Sequence, residues 1–225
     1  MLRPPIPRFP SRPGHPQPLL ERSTWQSLNG LWDFALDAGA DLRHPHDVRW
    51  EHRIEVPFSP ETPRSGIGNT GFYRACWYRL RTPLPPLPAG QRLLLRFGAV
   101  DYAADVWVDG MLVGHHEGGY TPFAFDITSY LANSDSHEII VRAEDDPHDL
   151  AKPRGKQDWQ LNPHSIWYPR TTGIWQSVWL EPVPATWISE LRYTPSLSRW
   201  EIGFEAWLAG ERHDGLRLSV QLSVG

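Results

Sequence analysis

Three groups of residues in this chain have types and spacings that could do chemistry. Glu144-Asp145-Asp146 is a run of carboxylates of the kind that can pair for general acid–base work. On an extended chain, however, adjacent side chains point to opposite faces, so these three do not naturally flank one bond. Their spacing is also not that of a calcium- or magnesium-binding loop, and the run reads as a strand-end feature. His115-His116 diverge for the same geometric reason, and no third ligand accompanies them. Cys76 lies inside a strand pattern with no His or Asn pattern pointing to it, and it reads as a small buried hydrophobe. The 12 tryptophans suggest sugar stacking, because a sugar face lies well on an indole ring. Most of them, Trp32 and Trp179 included, alternate within strands and read as core. Trp159 and Trp167 fall instead in the irregular stretch 145–172, and loops carry function on rigid β scaffolds. From these residues neither a metal site nor a cofactor is expected.

The elements that must position these residues have a period of two. Ala75, Trp77 and Arg79 alternate with Cys76, Tyr78 and Leu80, which reads as a strand with one face inward. Val100, Tyr102, Ala104, Val106 and Val108 share one face of the next long run, with Asp101, Asp105 and Trp107 on the other. Further strands fit 92–97, 123–127, 138–143 and 174–181, and the one helical candidate is a single turn over 127–131. Asn29-Gly30 and Asp109-Gly110 are hairpin signals, since a tight turn needs two central residues at positive φ. Many short strands with Gly and Pro punctuation predict an all-β chain: a jelly-roll β-sandwich over 23–182. Residues 1–20 hold seven prolines, so 1–22 reads as an extended arm.

After Pro182-Val183-Pro184 a second unit, 183–225, begins. Trp200, Ile202, Phe204, Ala206 and Leu208 alternate cleanly, and so do Leu216, Leu218, Val220, Leu222 and Val224. Three strands are read there, about half of the roughly seven in an immunoglobulin-like sandwich, so an incomplete one is expected. The five apolar side chains of the last strand would leave roughly 7–15 kcal/mol of burial unrealised, comparable to the net stability of a domain. The chain therefore reads as a fragment, or as one whose sandwich a partner completes.

Bulk composition narrows the functional classes. With 225 residues, 40% hydrophobic and 21% charged, the chain can bury a real core. A formal net charge of -4 offers no basis for a nucleic-acid partner. One cysteine excludes an internal disulfide framework. No apolar run approaches the roughly 18 residues of a membrane span, and the amino terminus lacks the apolar core of a signal peptide, so a cytoplasmic location is expected.

The run 97–131 carries the most specific pattern: strand, Asp-Gly turn, strand, Gly-rich loop, strand. It contains Val106-Trp107-Val108-Asp109-Gly110, then Val113-Gly114-His115-His116-Glu117-Gly118-Gly119-Tyr120-Thr121-Pro122-Phe123, then Phe125-Asp126-Ile127-Thr128. Flanking it are 27–34 (SLNGLWDF), Gly71-Phe72-Tyr73-Arg74, 153–157 (PRGKQ) and 172–181 (TGIWQSVWLE). In this order the motifs resemble the sugar-binding jelly roll of glycoside hydrolase family 2, over nearly all of 23–225.

The resemblance implies a jelly roll, then an immunoglobulin-like domain, then a TIM barrel. It implies hydrolysis of β-glycosides with retention by two glutamates about 5 Å apart, both in the barrel. No Glu here matches either one, so no catalytic residue is expected in this chain. The implied partners are a β-glycoside substrate and the barrel of a longer parent; the alternative is a stand-alone carbohydrate-binding module. Galactose, glucuronic acid and mannose specificities all share this domain order. His116 matches a recurrent family histidine expected to organise its loop. Some relatives place a sugar-contacting Asp six residues before the Gly that matches Gly173; here that position is Trp167. Arg154, Lys156, Gln157 and Asp158 are the polar candidates to replace it, with Trp159 beside them and Asn69 as a further one.

Overall fold

A computed structural model of the chain describes residues 14–85 and 87–221. Among these described residues fourteen strands follow in order: β1 Gln26–Ser27, β2 Gly30–Asp37, β3 His52–Val56, β4 Ala75–Thr82, β5 Gln91–Phe97, β6 Val100–Asp101, β7 Ala103–Val108, β8 Met111–Glu117, β9 Phe123–Asp126, β10 His137–Glu144, β11 Gly173–Ile174, β12 Val178–Pro184, β13 Thr186–Ser196 and β14 Glu201–Gly210. Helical structure among the described residues is confined to four single 3-10 turns, one of them Thr128–Tyr130, where the sequence reads one helical turn. No helix among the described residues is long and apolar enough to cross a membrane.

Two antiparallel sheets face each other, as expected for the all-β jelly-roll sandwich. One has the order β3-β2-β4-β10-β7-β8, the other β1-β12-β5-β9. Inward side chains from both make the core: Trp32, Phe34, Ile54, Cys76, Tyr78, Val106, Ile139 and Val141 meet Leu93, Leu95, Phe97, Val178 and Leu180. Burial pushes the Cys76 thiol up to about 12, so it stays a neutral hydrophobe.

The strand read as having one inward face has two buried faces over Ala75 to Tyr78. Behind the larger sheet a second cluster forms from Ala35, Val48, Trp77, Trp107 and Ile140, with Leu42 and Trp50 packed on it. Trp77 and Trp107 stack there at 5.4 Å. Residues of the 38–51 connection supply the cover that the alternation did not announce.

The two hairpin signals part ways. Asp109 (φ 48°) and Gly110 (φ 82°) do close the β7–β8 hairpin. Asn29-Gly30 does not close one: β1 pairs with β12 while β2 pairs with β3 and β4, so the chain crosses here between sheets. Gly30 sits at φ 128°, and the Asn29 amide ties the crossing down by accepting from Val178 N and donating to Ser177 Oγ, both at 3.0 Å.

Beyond Pro184, β13 and β14 pair only with each other among the described residues. The last strand read from the sequence is absent over its described part: residues 216–221 are irregular, and 222–224 lie outside the described residues. A strand needs a neighbouring edge to pair with, and alternation alone does not supply one.

Candidate functional site

At one end of the sandwich three irregular segments converge: the junction of β6 and β7, the Gly118-Gly119-Tyr120 turn after β8, and the loop 145–172. Their meeting point is Asp101, on β6 and facing away from the core. It is 3% exposed, and its Oδ2 accepts from Gln157 Nε2 at 2.7 Å. Burial, then the nearby Asp145 charge, push the Asp101 carboxyl up to about 6. Gly119 packs so close that a Cβ there would stand 2.2 Å from Asp101 Oδ1, so a side chain at 119 would have to displace that buried carboxylate. Tyr120 Oη lies 3.5 Å from Gln157 Nε2, and Trp175 Nε1 donates to Gly119 O at 2.7 Å.

Gln157 joins two ends of the long loop. Its Oε1 accepts from Thr171 N at 2.8 Å while its amide nitrogen holds Asp101. Backbone bonds from Tyr168 N to Lys156 O and from Asp158 N to Tyr168 O, both 2.9 Å, zip the intervening segment. Asp158, 2% exposed, accepts from Gln160 N at 3.0 Å and from His164 N and Nδ1 at 2.7 Å each. Burial pushes its carboxyl up, but those donors together outweigh it and hold it below the usual range. Arg154 donates to Asp149 O at 2.9 Å, pinning the start of the loop. Asn69 spends its side chain in its own turn, accepting from Gly71 N at 2.8 Å. Trp159 meets Trp167 and His164 edge-on at 5.1 and 5.5 Å, and it stays exposed, as do Lys156 and Tyr168.

The structure therefore brings Arg154, Lys156, Gln157, Asp158, Trp159 and Trp167 onto one loop, and it places Asn69 in a separate turn. Within that loop Arg154, Gln157 and Asp158 hold the fold, while Trp159 and Lys156 face outward.

Sequence reasoning missed the layer beneath. Arg170 lies against Asp145, with Nε 3.2 Å from Oδ2, and its guanidinium sits 5.0 Å from the Tyr73 ring centroid. Glu61 accepts from Tyr73 Oη at 2.6 Å and from Thr172 N at 3.2 Å, and burial raises its carboxyl. Asp101, the one acidic residue on an otherwise apolar two-residue strand, was the available signal.

The acidic run splits as expected for a strand end. Glu144 pairs with Arg142 at 2.6 Å, Asp145 with Arg170 at 3.1 Å and Asp146 with Arg74 at 3.2 Å. The adjacent histidines split too. His115 reaches Asp105 at 2.7 Å, whereas His116 contacts Thr121 Oγ1 at 3.1 Å and stacks on Phe123 at 4.1 Å, organising the Gly-rich loop.

Two packed antiparallel sheets with a loop-built polar and aromatic end define a jelly-roll module. The chain belongs to glycosyl hydrolases family 2: the family's sugar binding domain matches residues 53–184. It is 32% identical over 142 residues to a β-galactosidase of Thermoanaerobacter pseudethanolicus, covering 62% of this chain and 18% of that protein. It is 31% identical over 163 residues to a β-glucuronidase of Formosa agariphila, covering 70% of this chain and 14% of that one. Among solved structures, Bifidobacterium dentium β-glucuronidase complexed with coumarin-3-O-glucuronide shares the fold at a TM-score of 0.61 and 22% identity, over 85% of this chain and 37% of that one. The chain thus spans a minor part of the relatives it matches.

Proposed function

We propose that this chain is the N-terminal, sugar-binding accessory region of a cytoplasmic family 2 glycosidase whose full-length form hydrolyses O-glycosyl bonds of β-glycosides with retention. In this reading 23–182 is the jelly roll, 1–22 its arm and 183–225 the start of an immunoglobulin-like sandwich. The catalytic glutamates lie in a barrel that these residues do not include, and the chain alone is inactive. The observation that carries the reading is the family match over 53–184, which includes the strands bearing the motif run. The loop 145–172 is its contact face, with Lys156, Trp159 and Trp167 facing the sugar, Arg154, Gln157, Asp158 and Asp101 holding their surroundings in place, and Asn69 a further contact from its separate turn.

The test combines hydrolysis with binding. Purified chain should not turn over nitrophenyl β-galactoside or β-glucuronide. By calorimetry it should bind galactose, glucuronate and short β-glycans at millimolar affinity or worse, since one open face gives a small ligand little enclosure. Turnover that survives stringent purification would overturn the accessory reading. Micromolar binding abolished by Trp159→Ala would favour a stand-alone carbohydrate-binding module, which the exposed Trp159 beside Lys156 would suit.

A further inference from the structure

Glu181 is a buried carboxylate at a distance from the sugar-binding face. It lies on β12 between Leu180, which enters the core, and Pro182, and it points to the outer side of the four-stranded sheet with no exposure. Its Oε1 accepts from Trp179 Nε1 at 2.7 Å and from His15 Nε2 at 3.1 Å. Its Oε2 accepts from Arg22 Nε at 3.0 Å and lies 2.9 Å from Arg96 Nε. Because the Nε2–H of His15 is committed to the carboxylate, Nδ1 accepts from Gln17 N at 3.0 Å. Gln17 in turn accepts from Arg96 through Oε1 at 2.9 Å. A carboxylate is tolerated without water only where donors fill its lone pairs. Two of its three hydrogen-bond donors come from residues 14–22, with Arg96 adding a neighbouring positive charge, so this segment completes the cage.

Arg22 also reaches further. Its second nitrogen, Nη2, donates to Ile188 O at 2.7 Å, in β13 at the irregularity where its register with β14 shifts between Ile188 and Glu190. One planar guanidinium thus bonds the sandwich through Glu181 and the β13–β14 ribbon through Ile188. Only Ala185 separates β12 from β13, and its carbonyl accepts from Glu211 N at 2.9 Å, so the link fixes where the ribbon starts while its soft backbone torsions leave the ribbon's tilt to side-chain contacts. The other side-chain ion pair across this junction among the described residues, Arg92 with Glu211 at 3.7 Å, is partly exposed and solvent-screened, and such pairs contribute little.

We infer that residues 14–22 are a strap, buckled on Glu181, that fixes the orientation of the β13–β14 ribbon against the sandwich through Arg22. The strap is a positioning device: it sets the angle at which the second unit leaves the first. Two exposed sites, Met111→Cys and Leu197→Cys, can carry spin labels on the full chain, because the native Cys76 is buried. The wild-type strap should give a single narrow distance between them. Arg22→Ala should lose that narrow distance, while hydrogen exchange in β4 and β10 stays unchanged and shows the sandwich folded. In the ribbon, exchange should rise by about tenfold, as expected for loss of a hydrogen bond to a charged group. Arg22→Lys, which keeps the charge but cannot serve Glu181 and Ile188 together, should broaden the distance as well. A distance as narrow as wild type in both variants, or equal broadening from Arg92→Ala, overturns the strap.

Discussion

Strands β10 and β14 carry similar apolar alternation and meet opposite fates. In β10, Ile139, Val141 and Ala143 are fully buried on one face, and Ile140 on the other is covered by the second cluster. In β14, Ile202 and Leu208 remain 54% exposed. The difference is the presence of a second layer. The sandwich strands have a facing sheet and a covering loop, whereas the ribbon has one antiparallel partner. Where a partner edge is present, alternation marks a segment as a strand, and the surrounding tertiary layer decides what that strand contributes to stability.

The strongest way to break this comparison is to remove an indole from each region. Trp32 is fully buried and its Nε1 donates to Leu28 O at 2.8 Å. Trp32→Ala should cost about 3–5 kcal/mol in urea unfolding. Trp207→Ala in the ribbon, where the residue is 39% exposed, should cost less than about 1 kcal/mol. Equal losses would mean that the ribbon is part of the same cooperative core.

A second expectation concerns pH at the loop-built end. Asp101 is raised to about 6 in the fold, so the folded state binds more protons than the unfolded chain between its ordinary value near 4 and 6. Stability from this group therefore increases as pH falls through 6 and levels off below about 4. The full difference corresponds to roughly 3 kcal/mol. Asp101→Asn cannot titrate, so relative to it the wild type should gain stability on acidification from pH 7 to 4. Parallel stability curves would show that Asp101 ionises without cost in its crevice.

Glycines sharpen the contrast at smaller scale. Gly173 has φ 73°, and a Cβ there would stand 2.1 Å from Tyr78 Oη. Gly173→Ala should lower stability by about 1–3 kcal/mol. A Cβ on Gly203 in β14 would meet Thr194 at 3.4 Å, an ordinary contact. Gly203→Ala should change thermal stability by no more than about 0.5 kcal/mol in either direction.

The irregular loop 145–172 was readable because it lacks periodicity between strands that have it, and Trp159 and Trp167 stood out for that reason. The internal work of Gln157 and Asp158 was not readable. Their partners Asp101 and His164 are fixed by the loop's return path, which no local pattern encodes. Asp101 itself was visible only as a residue turned away from the core. The same limit explains the two Xaa-Gly signals. Asp109-Gly110 and Asn29-Gly30 have equal local freedom, yet one joins neighbours in a sheet and the other joins the two sheets.

By itself the sequence determined the all-β class, most strand positions, the sandwich core and the family to which its motifs point. These follow from a period of two, from Gly and Pro punctuation and from residue types in order, all local properties of the chain. Only the tertiary structure decided which strands have both faces covered, that 216–221 stays unpaired, that Asp101 rises toward neutrality and that His15 and Arg22 close around Glu181. The unpaired 216–221 reflects the lack of a neighbouring edge, and the others depend on desolvation by groups far away in the chain, which exists only once the layers are packed.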